Sequence, residues 1–427
     1  MALATERSLS RTFLALTAVK LFAVKLAVFS HKLCWPFAAS GTGYATDGGF
    51  PFQMAALAEL FDETVLVVPC RPRGAAPGEI PLEGARLRVS PLPPPYGSGL
   101  TRKLLFPIWC LRCAPCILRE FRQADAIHAP IPGDVGTVGM LLAWLFRKPL
   151  FVRHCGNWLR PVTFAEKFWR WFMETMAGGR NVMLATGGAA EPPSRKNANV
   201  RWIFSTSLTR AELAGQARPR EYPSNGKVRL ILVARQEKAK GAGTVIQCLP
   251  LVSKQFPQVS FTIVGEGSAI PEFKELAGKI GVTDRVQFSG KLNHEQVLQQ
   301  LREADLFLFP TTSSDGFPKA VLEALASGLP VVATRVSVLP QLLGAGCGLL
   351  INEATPEALA HAVEQALVNA DHYETMSNKA IEVAGHYSLE AWRDTIGGLL
   401  GAAWGPLKRS DTNGRKSVVV GPAVASS

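Results

Sequence analysis

The sequence predicts an α/β protein of two doubly wound domains that face each other across a cleft, and three observations predict it. Short continuous apolar runs alternate with amphipathic stretches, the pattern of parallel strands covered by helices on both faces. A chain of 427 residues is too long for one ordinary core. Residues 209–227, TRAELAGQARPREYPSNGK, are polar and rich in turn formers, and they divide the alternation in two.

From the amino end, residues 1–24 read as an extension ahead of the fold. The run Phe13 to Phe29 is apolar but carries Lys20 and Lys25. A spanning helix needs roughly 20 nearly uncharged residues, so no span is expected. The following His31-Lys32-Leu33-Cys34-Trp35 does not suit a signal-peptide cleavage site, which points to the cytoplasm. Leu26–Ser30 opens a first domain over residues 25–208, with strands at Thr64–Val68, Ala126–His128, Leu150–Arg153 and Met183–Ala185. Its helices start near Phe50 and Thr137 and around Phe164, while Pro72 to Gly97, rich in Pro and Arg, reads as irregular.

Residues 228–387 form the second domain, with strands at Arg229–Ala234, Ser260–Val264, Val286–Ser289, Leu306–Pro310, Val331–Ala333 and Gly348–Ile351. Helices are expected from Thr244 and Pro356, and at Ile270–Ile280, His294–Glu303 and Lys319–Ser327. Residues 388–404 form an amphipathic helix, and 405–427 read as a disordered tail with little apolar pattern.

The net charge of +12 is unevenly spread: residues 1–200 hold +10 of it. No zinc-finger spacing or RNA-binding aromatic pair accompanies this charge, so nucleic acid is not the expected partner. The cations instead interleave with aromatics: Arg102, Lys103, Phe106 and Trp109, then Trp158, Arg160 and Lys167 to Phe172. Two readings stand, a face resting on an anionic membrane and a helix with aromatics inward and cations in water. Cys110, Cys113 and Cys116 form CxxCxxC within an apolar helical stretch that lacks a fourth ligand, so buried thiols are expected and no metal.

Ligands of such sheets bind beyond the carboxyl ends of the strands. Arg235 and Lys240 follow the strand Arg229–Ala234, and Gly241 and Gly243 lead into a helix. An Arg fork, a Lys point charge and a helix amino end together suit a diphosphate. Asp315 lies in the loop after Leu306–Pro310, with Glu323 eight residues on, on the following helix. A carboxylate matches the two hydroxyls of a vicinal diol, although Asp315 alone would also serve as an N-cap. Glu323 has apolar neighbours, and an unpaired Glu there is costly unless it meets a ligand. Gly265 and Gly290 end strands and permit close backbone approach. In the first domain, Gly48-Gly49 precede a helix and His154 ends a strand, both toward the cleft.

Together these residues resemble the retaining, nucleotide-sugar-dependent glycosyltransferases of family 4, whose GT-B fold pairs two Rossmann-like domains. The resemblance covers nearly all of Arg229 to Glu364 and is looser in the first half. It implies that Arg235 and Lys240 neutralise the departing diphosphate of a UDP- or GDP-linked sugar, with no metal or other cofactor. It implies that Glu323, the second acid of Glu-x7-Glu, holds ribose hydroxyls. Asp315 takes the first acid's place, where the family has Glu, and the backbone N–H groups of Gly316 and Phe317 lie beside it. Gly290, Lys291 and Leu292 would border the base, and Gly49 and His154 would approach the phosphates and the sugar. The last helix would cross back to the first domain. The acceptor would be a glycan, a lipid-linked or a small molecule, in cell-surface polysaccharide or glycolipid synthesis. An epimerase-type or non-catalytic nucleotide-sugar-binding protein of the same fold is the alternative.

Overall fold

The computed structural model of the protein describes residues 24–72, 80–223, 226–313 and 316–407. Asp315, and most of the amino-terminal extension and carboxy-terminal tail, lie outside the described residues.

In the first half, β1 (Lys25–Phe29) is followed by β2 (Trp35–Pro36), β3 (Tyr44–Thr46), α1 (Phe50–Ala58), β4 (Glu63–Pro69), β5 (Ile80–Pro81) and β6 (Leu87–Leu92). Then come α2 (Gly99–Gln123), β7 (Ala126–Ile131), α3 (Asp134–Leu145), β8 (Leu150–His154), α4 (Phe164–Met176), β9 (Asn181–Thr186) and β10 (Val200–Ile203). Seven of these strands form a parallel sheet in the order β10-β9-β8-β7-β1-β4-β6, while β2, β3 and β5 form a small antiparallel one. Within 72–97, read from sequence as irregular, β6 pairs in parallel with β4. Pro91 lies on this edge strand, where a missing N–H costs the sheet nothing.

The helix α5 (Arg210–Gln216) occupies the segment read as a linker. Thr209 accepts from the Glu212 amide, and the Glu212 carboxylate accepts from the Thr209 amide, a capping box that starts a helix in a polar sequence.

The second half runs β11 (Arg229–Val233), α6 (Ala242–Val252), β12 (Ser260–Val264), α7 (Ile270–Lys279), β13 (Val286–Gly290), α8 (His294–Glu303), β14 (Leu306–Phe309) and α9 (Lys319–Ala326). It continues with β15 (Val331–Thr334), α10 (Leu339–Leu343), β16 (Gly348–Ile351), α11 (Pro356–Ala366), α12 (Ala370–Gly385) and α13 (Leu389–Trp404). Its parallel sheet has the order β13-β12-β11-β14-β15-β16. Strands such as β11 and β14 are nearly continuous apolar runs because helices cover both faces of the sheet, and each face has its own core. The carboxy-terminal α13 leaves this domain and packs on the first, burying Trp392, Ile396 and Leu400 beside Met54 and Leu57. Arg393 pairs with Glu59 of the first domain, and Trp404 Nε1 donates to the Arg180 carbonyl at 2.8 Å.

The layer α2, α3 and α4 on the first domain settles where the interleaved aromatics point. Arg102 of α2 bonds Asp134 of α3, and Trp169 of α4 donates to Thr137 of α3, so the three helices lie side by side. Trp109, Trp158 and Phe172 are buried, Phe168 and Trp169 are partly so, and Trp171 is exposed. The exposed apolar residues are instead Leu100, Leu104, Ile108 and Leu111 of α2 and Trp144, Leu145 and Phe146 at the end of α3. Cys113 lies in the same core, where burial pushes its thiol up to about 11. Among the described residues no helix is long and apolar enough to cross a membrane.

Candidate active site

In each sheet the strand order reverses once, between β1 and β7 in the first and between β11 and β14 in the second. The loops that leave the two strands at such a reversal run in opposite directions and open a crevice between them. In the second domain this crevice holds Lys240, in the loop after β11. Its side chain is 7% exposed, and its Nζ donates to Ser313 Oγ at 3.0 Å across the reversal. The same two loops are joined by Thr311 Oγ1 and Thr312 N, each donating to the Ala239 carbonyl at 2.9 Å. Gly241 holds Lys240 in place: its φ is 90°, and a Cβ there would overlap the Pro310 carbonyl. Arg235, on the same loop, is exposed and pairs with Glu237 at 3.4 Å, a pairing that weakens its field at the crevice.

Glu323 projects from the second turn of α9 and is largely buried. Burial pushes its carboxyl above the usual Glu range, against the opposing pull of His294 and Lys319. His294, the first residue of α8, places Nδ1 3.8 Å from Glu323 Oε1. It is held there by Asn293, whose side chain accepts from the Gln296 amide while Gln296 answers the Asn293 amide. The turn Gly290-Lys291-Leu292 lies just before, with Gly290 at φ 66° and Lys291 exposed. Leu292 packs into the core beneath. Gly265 donates to the Gly290 carbonyl at 2.7 Å, so the turns after β12 and β13 are tied together. The close approach that Gly265 permits is to its own chain, since a Cβ there would overlap the Ala234 carbonyl.

The first domain closes the other side. Gly49, the residue before α1, lies against Lys319 of α9, so that a Cβ on Gly49 would overlap the Lys319 ammonium and sit 3.0 Å from Ser207 Cβ. Gly316 meets the end of β9: a Cβ there would stand 2.9 Å from the Thr186 carbonyl and 3.4 Å from that of Gly156. Phe317 is buried against Phe204 and Tyr387, with ring centroids at 6.2 and 5.6 Å, and it anchors the start of this loop. His154 ends β8, buried edge-on to Trp158, and burial lowers its pKa to about 4, so the ring is neutral near pH 7. His154 Nδ1, Thr186 Oγ1, Gln236 Oε1 and Ser289 Oγ are buried at or just past strand carboxyl ends, with no hydrogen-bond partner among the described residues. Buried polar atoms are normally paired, so these mark positions suited to polar groups of a ligand.

The structure thus gathers Lys240, Gly316, Glu323, Gly49 and His154 around one seam, with Gly265 and Gly290 at its outer end. The reading from sequence missed Lys319, His294 and Ser313. Lys319 carried a usable signal, standing four residues before Glu323 and therefore on the same helical face. Ser313 carried none, because the reversal that brings it to Lys240 is a property of the sheet.

Two facing doubly wound domains with ligand groups at the reversal define the GT-B fold. In accord, the chain superposes on Anabaena Alr3699/HepE, solved in complex with UDP, with a TM-score of 0.62 over 88% of this chain and 99% of that one, at 16% identity. Residues 216–383 match the family model described as Glycosyl transferases group 1, and this region belongs to that family. It contains every candidate residue from Arg235 to Glu323. The region is 29% identical over 145 residues to a phosphatidylinositol N-acetylglucosaminyltransferase subunit of Arabidopsis thaliana, a match that covers 34% of this chain and 32% of that protein. It is 31% identical over 156 residues to a phosphatidyl-myo-inositol mannosyltransferase of Mycobacterium tuberculosis H37Rv, 36% of this chain and 40% of that one. The matched stretch therefore spans about a third to two fifths of these relatives.

Proposed function

We propose that the protein is a glycosyltransferase that moves a hexose-type sugar, with retained anomeric configuration, from a UDP- or GDP-linked donor to a glycan, lipid-linked or small-molecule acceptor. The observation that carries this is Lys240, buried at the strand-order reversal and tied to Ser313, in a group 1 region that also presents Glu323. The diphosphate leaves toward Lys240 and Arg235, fixed charges that stabilise the negative charge developing on it. The acceptor hydroxyl bonds to the anomeric carbon on the face from which the diphosphate departs, and the departing phosphate oxygen takes the hydroxyl proton. Glu323 accepts from the ribose hydroxyls. Neutral His154 hydrogen-bonds a sugar hydroxyl without adding charge, and Asp315 serves the sugar by its place in the motif.

The test is donor turnover by purified protein with UDP- and GDP-sugars. Lys240→Ala is expected to lower kcat/KM by about 10²–10³-fold, the effect of removing one transition-state donor. Wild-type turnover retained by both Lys240→Ala and Arg235→Ala would overturn the assignment.

A second observation favours an acceptor held at an anionic bilayer. The α2–α3 face exposes seven apolar side chains in the basic half of the chain, Leu100 to Phe146. Its acids are already engaged, Asp134 by Arg102 and Glu120 by Arg88. Both relatives' names specify a phosphatidylinositol substrate, itself an anionic lipid. Leu104→Glu with Ile108→Glu is expected to abolish co-sedimentation with phosphatidylglycerol vesicles while donor hydrolysis persists. Unchanged co-sedimentation would remove this face from consideration.

A further inference from the structure

Lys319 has no role in the scheme above, yet it lies where the two domains touch. It is half-buried at the start of α9, and its ammonium rests against Gly49, the last residue before α1 on the opposite domain. Among the described residues it makes no hydrogen bond or ion pair. Glu323, one turn further along, is close enough to be felt but is nearest to His294 instead. The surroundings of Lys319 repel a cation. Burial and the charges of Arg153 and Lys32 all disfavour its protonated form. Opposite it, α1 begins with no side-chain cap and no acid in its first turn, so its amino end presents partial positive charge.

A lysine held against like charge and left unpaired at a domain seam lacks an anion. The chemistry needed is a compact, highly charged one able to meet a cation from one domain and backbone N–H groups from the other. Within the proposed reaction the diphosphate has that chemistry. We propose that Lys319 is a third donor-binding cation, which pairs with a diphosphate oxygen across the seam from Gly49 and so couples donor arrival to closure of the two domains. This rests on the donor reading above. It differs from the roles of Arg235 and Lys240, which bind from within one domain, because Lys319 senses whether the other domain is in place.

The experiment compares wild type, Lys319→Met and Lys319→Arg by calorimetry with UDP, GDP, UMP, GMP and inorganic pyrophosphate. Loss of a charge-assisted pair, about 1.5–3 kcal/mol, corresponds to a 10- to 100-fold weaker binding of the preferred nucleoside diphosphate by Lys319→Met. The monophosphate is expected to be little affected, and Lys319→Arg to recover most of the loss. The unliganded Lys319→Met protein is expected to melt no lower than wild type, because the lost ammonium had no partner, and this separates the effect from misfolding. Diphosphate binding by Lys319→Met within twofold of wild type would overturn the proposal. If wild type binds no nucleoside diphosphate, the donor reading fails. The pairing of Lys319 with an anion then stands only if pyrophosphate binds wild type and not Lys319→Met, and falls otherwise.

Discussion

Glu323 and His154 show how burial sets the chemistry of single residues here. The folded-state pKa of Glu323 is raised, so its neutral form is favoured in the folded chain. The stability this gives is present in full below the ordinary Glu value of 4.5 and is lost as pH rises through the raised value. Glu323→Gln is therefore expected to melt higher than wild type at neutral pH, with the gap closing toward pH 4.5, while its nucleotide affinity falls. Thermal scans across pH with and without UDP check both halves. His154 has the opposite sign: its pKa falls from 6.5 to about 4, so its contribution is complete above pH 6.5 and is lost as pH drops toward 4. His128, buried with Nδ1 on the Phe151 carbonyl and lowered to about 3, adds the same sign. Each costs on the order of 1.4 kcal/mol per pH unit in that window, so His154→Gln is expected to flatten the acid side of a denaturant-midpoint profile. Both residues were legible in the sequence, Glu323 as a carboxylate among apolar neighbours and His154 as a polar residue ending an apolar strand. Their protonation was not, because it depends on what the other domain covers.

Among the elements, the short segment from Lys238 to Gly241 carries the most consequence. It holds Lys240 in a 3-10 turn that Gly241 closes with a left-handed backbone. Gly241→Ala meets both strain and the Pro310 carbonyl, so a loss of about 1–3 kcal/mol is expected together with a drop in donor affinity. Chemical denaturation and UDP titration of the same variant measure the two. A loss of stability with unchanged affinity would show that Lys240 needs no such support. Helix α2 shows what an element's sequence leaves open. It has two apolar stripes, Trp109-Cys113-Ile117-Phe121 and Leu100-Leu104-Ile108-Leu111, each at helical spacing. Periodicity marks both as candidate core, and only docking against β4 and β6 sends the first inward and leaves the second in solvent.

For the whole molecule, the seam between domains is narrowest where Gly316 meets Thr186 and Gly156. A methyl at Gly316 would sit 2.9 Å from the Thr186 carbonyl, closer than such atoms tolerate, and neither partner is a flexible side-chain tip. Gly316→Ala is thus expected to hold the domains apart. Small-angle scattering with UDP would then give a larger radius of gyration than wild type, and kcat would fall while the melting temperature stays the same. An unchanged radius would show that the seam yields by local shifts. The return of α13 to the first domain, through Trp392, Ile396 and Leu400, ties the chain's end to its beginning. It limits how far the two halves can separate.

The sequence by itself determined the alternation of strands and helices, the two sheets and the loops that would carry ligand groups. Apolar continuity and the placement of Arg235, Lys240, Gly49 and Glu323 after strands or at helix starts are local properties that a linear reading reaches. The capping box that makes α5 a helix was local too, and was legible in Thr209 and Glu212. What only the tertiary structure decided is which loops meet. Strand order puts Ser313 on Lys240, and the facing of two domains puts Gly49 on Lys319 and Gly316 on Thr186. Burial by those partners is what makes a common charged residue a candidate site residue, since a charge costs free energy only where water has been replaced.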